Sequence, residues 1–238
     1  MIRVEALEKK FGKLNVLKGI SAEFGKGEVV SVIGPNGSGK TTLIKCILGM
    51  VIADKGQLYF DNHLIKGDFT YRERIGYMPQ IGRYPDNMKI GHLFDMMKDI
   101  RHTNGNKTDE DLIQDWQLHN MNAKAMRTLS GGTRQKVSAA LAFMFNPDVL
   151  ILDEPTAGLD PVSSEILKSK ILKAKELGKL IIITSHIMSE VEELADKVLY
   201  IFEGNIRFYK TVEALKSETD EERLGRAVAK IMNNTSYN

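Results

Sequence analysis

Residues 34–42 read Gly-Pro-Asn-Gly-Ser-Gly-Lys-Thr-Thr, a run suited to holding phosphate. Gly34, Gly39, Lys40 and Thr41 satisfy the spacing G-x-x-x-x-G-K-[ST]. Glycines let backbone N–H groups approach an anion, so Gly34, Gly37 and Gly39, with Pro35, Asn36 and Ser38 between them, form a cradle. Lys40 supplies a fixed cation for the β- and γ-phosphates, Thr41 a hydroxyl for Mg²⁺, and Thr42 completes the run. The sequence "LILDEP" at 150–155 supplies acids. Asp153, at the end of an apolar strand, suits Mg²⁺ held through water, and Glu154 is placed to polarise an attacking water or take its proton. A pair of acids at a strand end is the ordinary alternative, but a phosphate loop needs a metal partner. A second glycine-rich turn, "LSGGTRQ" at 129–135, precedes a helix expected from Thr133. Ser130, Gly131 and Gly132 there offer bare backbone N–H groups and a positive helix end to an anion. Taken alone, the turn reads as a helix start capped by Ser130.

These groups must be carried by regular elements. "EVVSVIG" is a continuous apolar run that passes into "SGKTTLIKCILGM", where Leu43, Ile44, Ile47 and Leu48 fall on one side, giving strand, phosphate loop and helix. "IRVEAL" and "GISAEF", separated by a turn-rich stretch, predict an antiparallel pair at an edge. "GQLYF" and "RIGYMP" read as strands, and residues 87–126 as helical spacing broken by the polar link "RHTNGNKTDED". Further on come the helix "TRQKVSAALAFMF", the strand "DVLILDEP" and a helix over about 162–177. They are followed by the strand "KLIIITS", the helix "SEVEELA", and the strands "KVLYIF" and "NIRFY". Leu224, Ala227, Val228 and Ile231 predict a last helix before "NNTSYN" frays. Strands alternating with helices predict an α/β fold: a P-loop NTPase core with a mostly parallel sheet, an antiparallel β edge subdomain and a small helical insert. Asp153's strand is expected parallel to the strand feeding the phosphate loop, near it, where such sheets collect ligands.

Composition narrows the classes. A chain of 238 residues suits one nucleotide-binding unit with a modest insert. At 42% hydrophobic and 27% charged it is ordinary for a globular protein, with no apolar run near the ~18 residues of a membrane span. The 33 basic and 31 acidic residues are interspersed, so no direct nucleic-acid partner is expected. Met1 runs straight into "IRVEALEKKFG" without a secretory leader, and the single Cys46 forms no internal disulfide, so a cytoplasmic protein is expected. Cys46 is expected to be a packing residue. His63, His92, His102 and His119 lack paired metal spacing and read as surface or packing residues. The 11 methionines, among them Met88, Met96, Met97, Met121 and Met126, read as adaptable packing under a docking groove rather than copper ligands, and Trp116 as a packing anchor.

With these motifs in place the chain resembles the ATP-binding subunits of ABC transporters along nearly its whole length. The phosphate loop, Gln80 in "YMPQ", "LSGGTRQ", "LILDEP", "GLD" at 158–160 and His186 in "ITSH" follow in the family's order. The resemblance implies an ATPase using ATP and Mg²⁺, in which Phe11 stacks on adenine and Gln80 touches Mg²⁺ and the attacking water. It implies that His186 contacts the γ-phosphate and holds Glu154 and the water, and that Asp160 orders a dimer interface. It also implies an ATP-dependent, head-to-tail homodimer in which Ser130, Gly131 and Gly132 of one chain close over the γ-phosphate held by the other's Lys40. Thr133 stands where the family more often has Gln, which affects contacts at the ribose edge. An ABC-type ATP-binding domain over 1–215, with its insert at about 81–128, and a C-terminal helix and tail over 216–238 are expected. The partner implied is a separately encoded polytopic membrane permease, placing the chain peripherally at the inner face of the cell membrane. The rival class is a soluble ABC ATPase acting on ribosomes or DNA. One cassette, no charged tandem linker and no heptads between Lys40 and Leu129 argue against it. Absence of an extra β domain after the cassette tilts toward an exporter-like or multi-purpose transporter. "QIGRYPDNMKIGHLFDMMKDIR" is similar to exporter-like subunits of the kind that includes the ATPase for nitrous-oxide reductase maturation, thought to serve its copper or sulfur supply. A docking surface for the permease is expected around Gln80 and the insert to Met126, using Tyr84, Met88, Phe94 and Trp116.

Overall fold

The computed structural model describes residues 1–101 and 108–235. The first strands are longer than the sequence suggests. β1 (Ile2–Phe11) and β2 (Leu14–Phe24) pair antiparallel around a two-residue turn, with bulges that absorb register shifts in β1. The stretch expected as loop is therefore hairpin. β3 (Val29–Ile33) leads into α1 (Lys40–Ile47) across the phosphate loop. β4 (Lys55–Phe60) and the short β5 (His63–Leu64) complete a four-stranded sheet ordered β2-β1-β4-β5.

β6 (Ile75–Met78) is followed by the insert: α2 (Ile90–Ile100), α3 (Asp111–Asp115) and two single 3₁₀ turns. α4 (Gly131–Phe143) begins two residues before the expected Thr133. After it come β7 (Val149–Asp153), α5 (Pro161–Glu176), β8 (Leu180–Thr184) and α6 (Met188–Leu194). The chain continues through β9 (Lys197–Phe202), β10 (Asn205–Thr211), α7 (Val212–Thr219) and α8 (Leu224–Thr235). α7 is not among the elements expected from the sequence: its buried Val212, Leu215 and Thr219 fall at helical spacing, but over eight residues only. The domain boundary expected at 215 falls inside it.

β10, β9, β3, β8, β7 and β6 lie side by side in that order, parallel except for the β9–β10 pair. Both faces of this sheet are covered, which is why its strands read as unbroken apolar runs. Along β7, Val149 and Ile151 pack toward α1 and the four-stranded sheet, while Leu150 and Leu152 pack toward α2–α6. The strand that ends at Asp153 is not beside the strand that feeds the phosphate loop. β8 lies between them, with Thr184 opposite both Val32 and Asp153. That insertion places the end of β8, and His186 just beyond it, between loop and acid.

Phe94, Trp116 and Met126 are buried, and Met88, Met96, Met97 and Met121 pack partly buried against the same core. Trp116 is thus an anchor, and the methionines are packing. Cys46 is buried, and burial pushes its thiol up to about 11. His63, His92 and His119 are exposed, and His102 lies outside the described residues. Among the described residues no cluster of His, Cys, Asp and Glu could hold a metal ion by itself, and no helix is long and apolar enough to cross a membrane. The helix predicted from Leu224 is present, with Leu224 and Ala227 fully buried, but of the expected frayed end residues 236–238 lie outside the description.

Candidate active site

The phosphate loop is held open by close backbone approaches. At Gly34 φ is +147°, and a Cβ there would come within 2.1 Å of the Ile201 carbonyl oxygen on β9. Only glycine fits. Lys40 folds back over the loop, donating from Nζ to the carbonyl oxygens of Gly34 at 2.7 Å and Pro35 at 3.0 Å. Burial lowers its ammonium pKa, while the charges of Glu154 and Asp153 oppose the shift. The Ser38 hydroxyl is buried and has no hydrogen-bond partner among the described residues. A buried orphan donor costs free energy unless something accepts from it, and a phosphate oxygen is such an acceptor.

The acids arrive from β7. Asp153 is 7% exposed, and its Oδ1 accepts from the Thr184 hydroxyl at 2.5 Å. Glu154 turns out of the strand with φ +53°, a left-handed conformation costly for a non-glycine residue. Hydrogen bonds on both sides fix that turn. Its N–H donates to Thr184 Oγ1 at 3.0 Å and to the Thr184 carbonyl at 3.2 Å, and its carbonyl accepts from Gln135 Nε2 at 3.1 Å. The carboxylate so directed reaches His186, with Nε2 3.1 Å from Oε1. Burial raises the Glu154 pKa and the Asp153 charge adds to it, while His186 and Lys40 pull it down.

Loop and acids open on one cleft of about 260 Å³. Asn36 to Thr42, Gln80, Asp153, Glu154 and His186 line it, together with Leu14 and Val16 from β2. Gly34 and Pro35 stand behind it as acceptors for Lys40. Phe11, at the end of β1, is 50% exposed, with Lys9 Nζ 5.4 Å from its ring centre. Thr41, Gln80 and Asp153 bring hydroxyl, amide and carboxylate oxygens to the cleft, the hard-oxygen set that suits Mg²⁺ alongside phosphate.

Ser130, Gly131, Gly132 and Asp160 do not line this cleft. Ser130 caps α4, its Oγ accepting from Thr133 N at 3.2 Å and lying 2.9 Å from Thr133 Oγ1. Both readings of the turn are compatible with this geometry: a capped helix start at which Ser130 and Gly131 are exposed and Gly132 is half-buried. The two glycines differ. A Cβ on Gly132 would meet the Gly158 carbonyl oxygen of the same chain at 2.7 Å, whereas one on Gly131 would meet nothing within 4 Å. Asp160 caps α5 through Ser163 N at 2.9 Å and pairs with Lys136 Nζ at 3.0 Å. Bonds from Ser163, then Lys136, hold its carboxyl far below the usual range.

The family pattern for ABC transporters matches residues 17–157, spanning the phosphate loop, the second glycine-rich turn and both acids. The chain belongs to the ABC transporter ATP-binding family. Its activity is ATP hydrolysis. It is 34% identical over 224 residues to the lantibiotic transport ATP-binding protein SrtF of Streptococcus pyogenes, covering 93% of this chain and 95% of that one. It is 33% identical over 210 residues to the linearmycin resistance ATP-binding protein LnrL of Bacillus subtilis, covering 87% and 68%. A solved ATP-binding subunit of an ABC transporter shares its fold at a TM-score of 0.89 and 24% identity, covering 98% and 99%. Within this ATP-binding cassette, sequence reasoning missed Leu14 and Val16 as cleft wall, and Thr184 and Gln135 as the bonds that direct Glu154. A signal existed for the last two. Thr184 ends the otherwise apolar "LIIIT", and Gln135 shares a helical face with buried Ser138 and Ala142.

Proposed function

We propose that this cassette powers a separately encoded polytopic permease, exporter-like in type, from the cytoplasmic face of the membrane. Relatives named for lantibiotic transport and linearmycin resistance support that reading. In it Lys40 leaves the Gly34 and Pro35 carbonyls for nucleotide phosphate, and the loop N–H groups and Ser38 hydroxyl donate to the phosphate oxygens. Thr41, Asp153 and Gln80 would hold Mg²⁺, which supplies charge neutralisation of the phosphates when bound. Glu154, kept less acidic by burial, takes the proton of the attacking water, and His186 holds the Glu154 carboxylate in place. Phe11 offers its exposed ring to adenine.

The observation that carries the assembly is that Ser130–Gly132 sit outside the cleft while presenting outward the N-terminus of a 13-residue helix. A dipole end with open N–H groups fits an anion, and in this chain the phosphate site lies elsewhere. A second copy, head to tail, would bring that end over the first copy's phosphates, with Asp160 at the seam. Mixing two inactive proteins tests this. Lys40→Ala removes the grip of its own loop. Gly131→Asp puts a carboxylate where the partner's phosphate would sit, without the internal clash that a change at Gly132 causes. A mixed dimer holds one site with both lesions and one with none, so mixing should restore hydrolysis. If hydrolysis needs both sites, light scattering of Glu154→Gln should still show ATP-dependent dimers that Gly131→Asp abolishes. No rescue together with no dimer would return the turn to a helix cap alone.

The permease contact is best supported at a groove of about 300 Å³ beside β6, the edge strand of the large sheet. Tyr84, Met97, Leu141 and Phe145 give it an apolar floor, and Arg83 and Arg101 a basic rim, with Arg101 stacked 5.3 Å from the Phe145 ring centre. This moves the expected docking surface away from Phe94 and Trp116, which are buried. A cytoplasmic helix of the permease with an apolar face and an acidic flank fits there.

A further inference from the structure

Among the buried polar side chains with no part in the mechanism, Gln135 bonds directly to the Glu154 backbone. Gln135 is 6% exposed on α4, yet its amide donates to the Glu154 carbonyl at 3.1 Å. That carbonyl belongs to a residue in a left-handed conformation, where the peptide orientation decides which way the carboxylate leaves the chain. On the other side of Glu154, its N–H has two acceptors on Thr184. Its carbonyl accepts within the following turn from Ala157 N at 3.1 Å, and otherwise from Gln135. Strained backbone of this kind persists only where its surroundings over-determine it. Gln135 also has a particular origin. It lies in the second turn of the helix that starts at the exposed Ser130–Gly131 turn, so one element carries both that turn and the bond to Glu154.

We propose that Gln135 is a positioning residue for ATP hydrolysis: it fixes the Glu154 peptide and thereby aims the Glu154 carboxylate, tying that direction to the helix that starts at Ser130. The proposal rests on the assignment of Glu154 as proton acceptor. A displacement of a reacting group by about 1 Å can cost on the order of a hundredfold in rate, so loss of the bond should act on turnover while leaving the phosphate loop intact. Gln135 does not itself line the cleft that grips nucleotide, and the one cleft residue it bonds is Glu154.

Two variants of similar size remove the donor differently. Gln135→Met keeps length without hydrogen bonding, and Gln135→Glu keeps shape but sets a carboxylate oxygen against the Glu154 carbonyl. Both should hydrolyse ATP about tenfold or more slowly, with KM for ATP within about twofold of the native value. In the Glu154→Gln background, Gln135→Met should still form ATP-dependent dimers by light scattering, because the carboxylate it aims is already gone. Native turnover in both variants would overturn the proposal. So would loss of those dimers, since that would locate the damage at the Ser130–Gly132 turn. Failure of the underlying assignment reads out separately, as normal hydrolysis by Glu154→Gln with Gln135 intact. If Gln135→Met does not fold, Gln135→Glu carries the same tests.

Discussion

Thr184→Val is the sharpest single probe of how the acids are held. Valine has the same shape, so packing at the end of β8 is kept and only the hydroxyl is lost. That hydroxyl donates to Asp153 Oδ1 at 2.5 Å in a buried setting and accepts from Glu154 N at 3.0 Å. Glu154 N keeps a second acceptor, the Thr184 carbonyl at 3.2 Å, so the loss falls mainly on the Asp153 carboxylate. A hydrogen bond to a charged group contributes about 1.5–3 kcal/mol, and the extra buried methyl returns about 0.8 kcal/mol, leaving a net cost near 1–2 kcal/mol. For a chain of this size each kcal/mol moves the melting midpoint by roughly 2–4 °C, so a fall of roughly 2–8 °C is expected. Turnover should fall further than stability suggests, by about tenfold, because Asp153 and Glu154 both lose an anchor. Thermal melts followed by circular dichroism, with steady-state phosphate release on the same samples, make the measurement. Thr184→Ser retains the hydroxyl and should stay near native turnover. A valine variant that melts within about 1 °C of native and hydrolyses normally would refute the account of how β8 positions the acids.

Two other expectations follow from the same geometry. In the proposed role of proton acceptor Glu154 must be ionised, and burial raises its pKa, so kcat/KM should fall as pH drops through a value above the ordinary carboxylate range. Glu154→Gln should lose that acid limb with its activity, and an acid limb at the ordinary carboxylate value would contradict the burial argument. At the groove beside β6, Met97→Glu should weaken co-purification with the proposed permease while leaving ATP affinity within about twofold, since it lines the groove but not the cleft. Normal co-purification would move the contact elsewhere.

Much of the site was legible because its chemistry is local in sequence. The spacing of Gly34, Gly39, Lys40 and Thr41 lies within one strand, loop and helix start, so the geometry follows from the run itself. Asp153 and Glu154 follow an apolar strand for the same reason. What bound these pieces together was less legible. The period of their neighbours marks Gln135 and Thr184 as polar residues on buried elements, but which residue each bonds, 19 or 30 positions away, leaves no mark in the sequence. Phe94 and Trp116, expected as part of a docking segment, are buried. An aromatic on a helix is compatible with either face until the insert is packed against α4 and the sheet.

The strand–loop–helix phosphate cradle, the acids at the end of the apolar "LILDEP" strand and the alternating α/β order are readable from the chain alone, since each rests on near neighbours and on side-chain period. Strand order is a matter of long-range packing. Placing β8 between β3 and β7 puts Thr184 opposite Asp153 and sets His186 against Glu154, and no spacing encodes which of several buried apolar strands lies beside which. Tertiary contact also separated Gly131 from Gly132, adjacent letters in one motif. The Gly158 carbonyl crowds one and leaves the other open, because helix α4 packs on the loop after β7 from one side only.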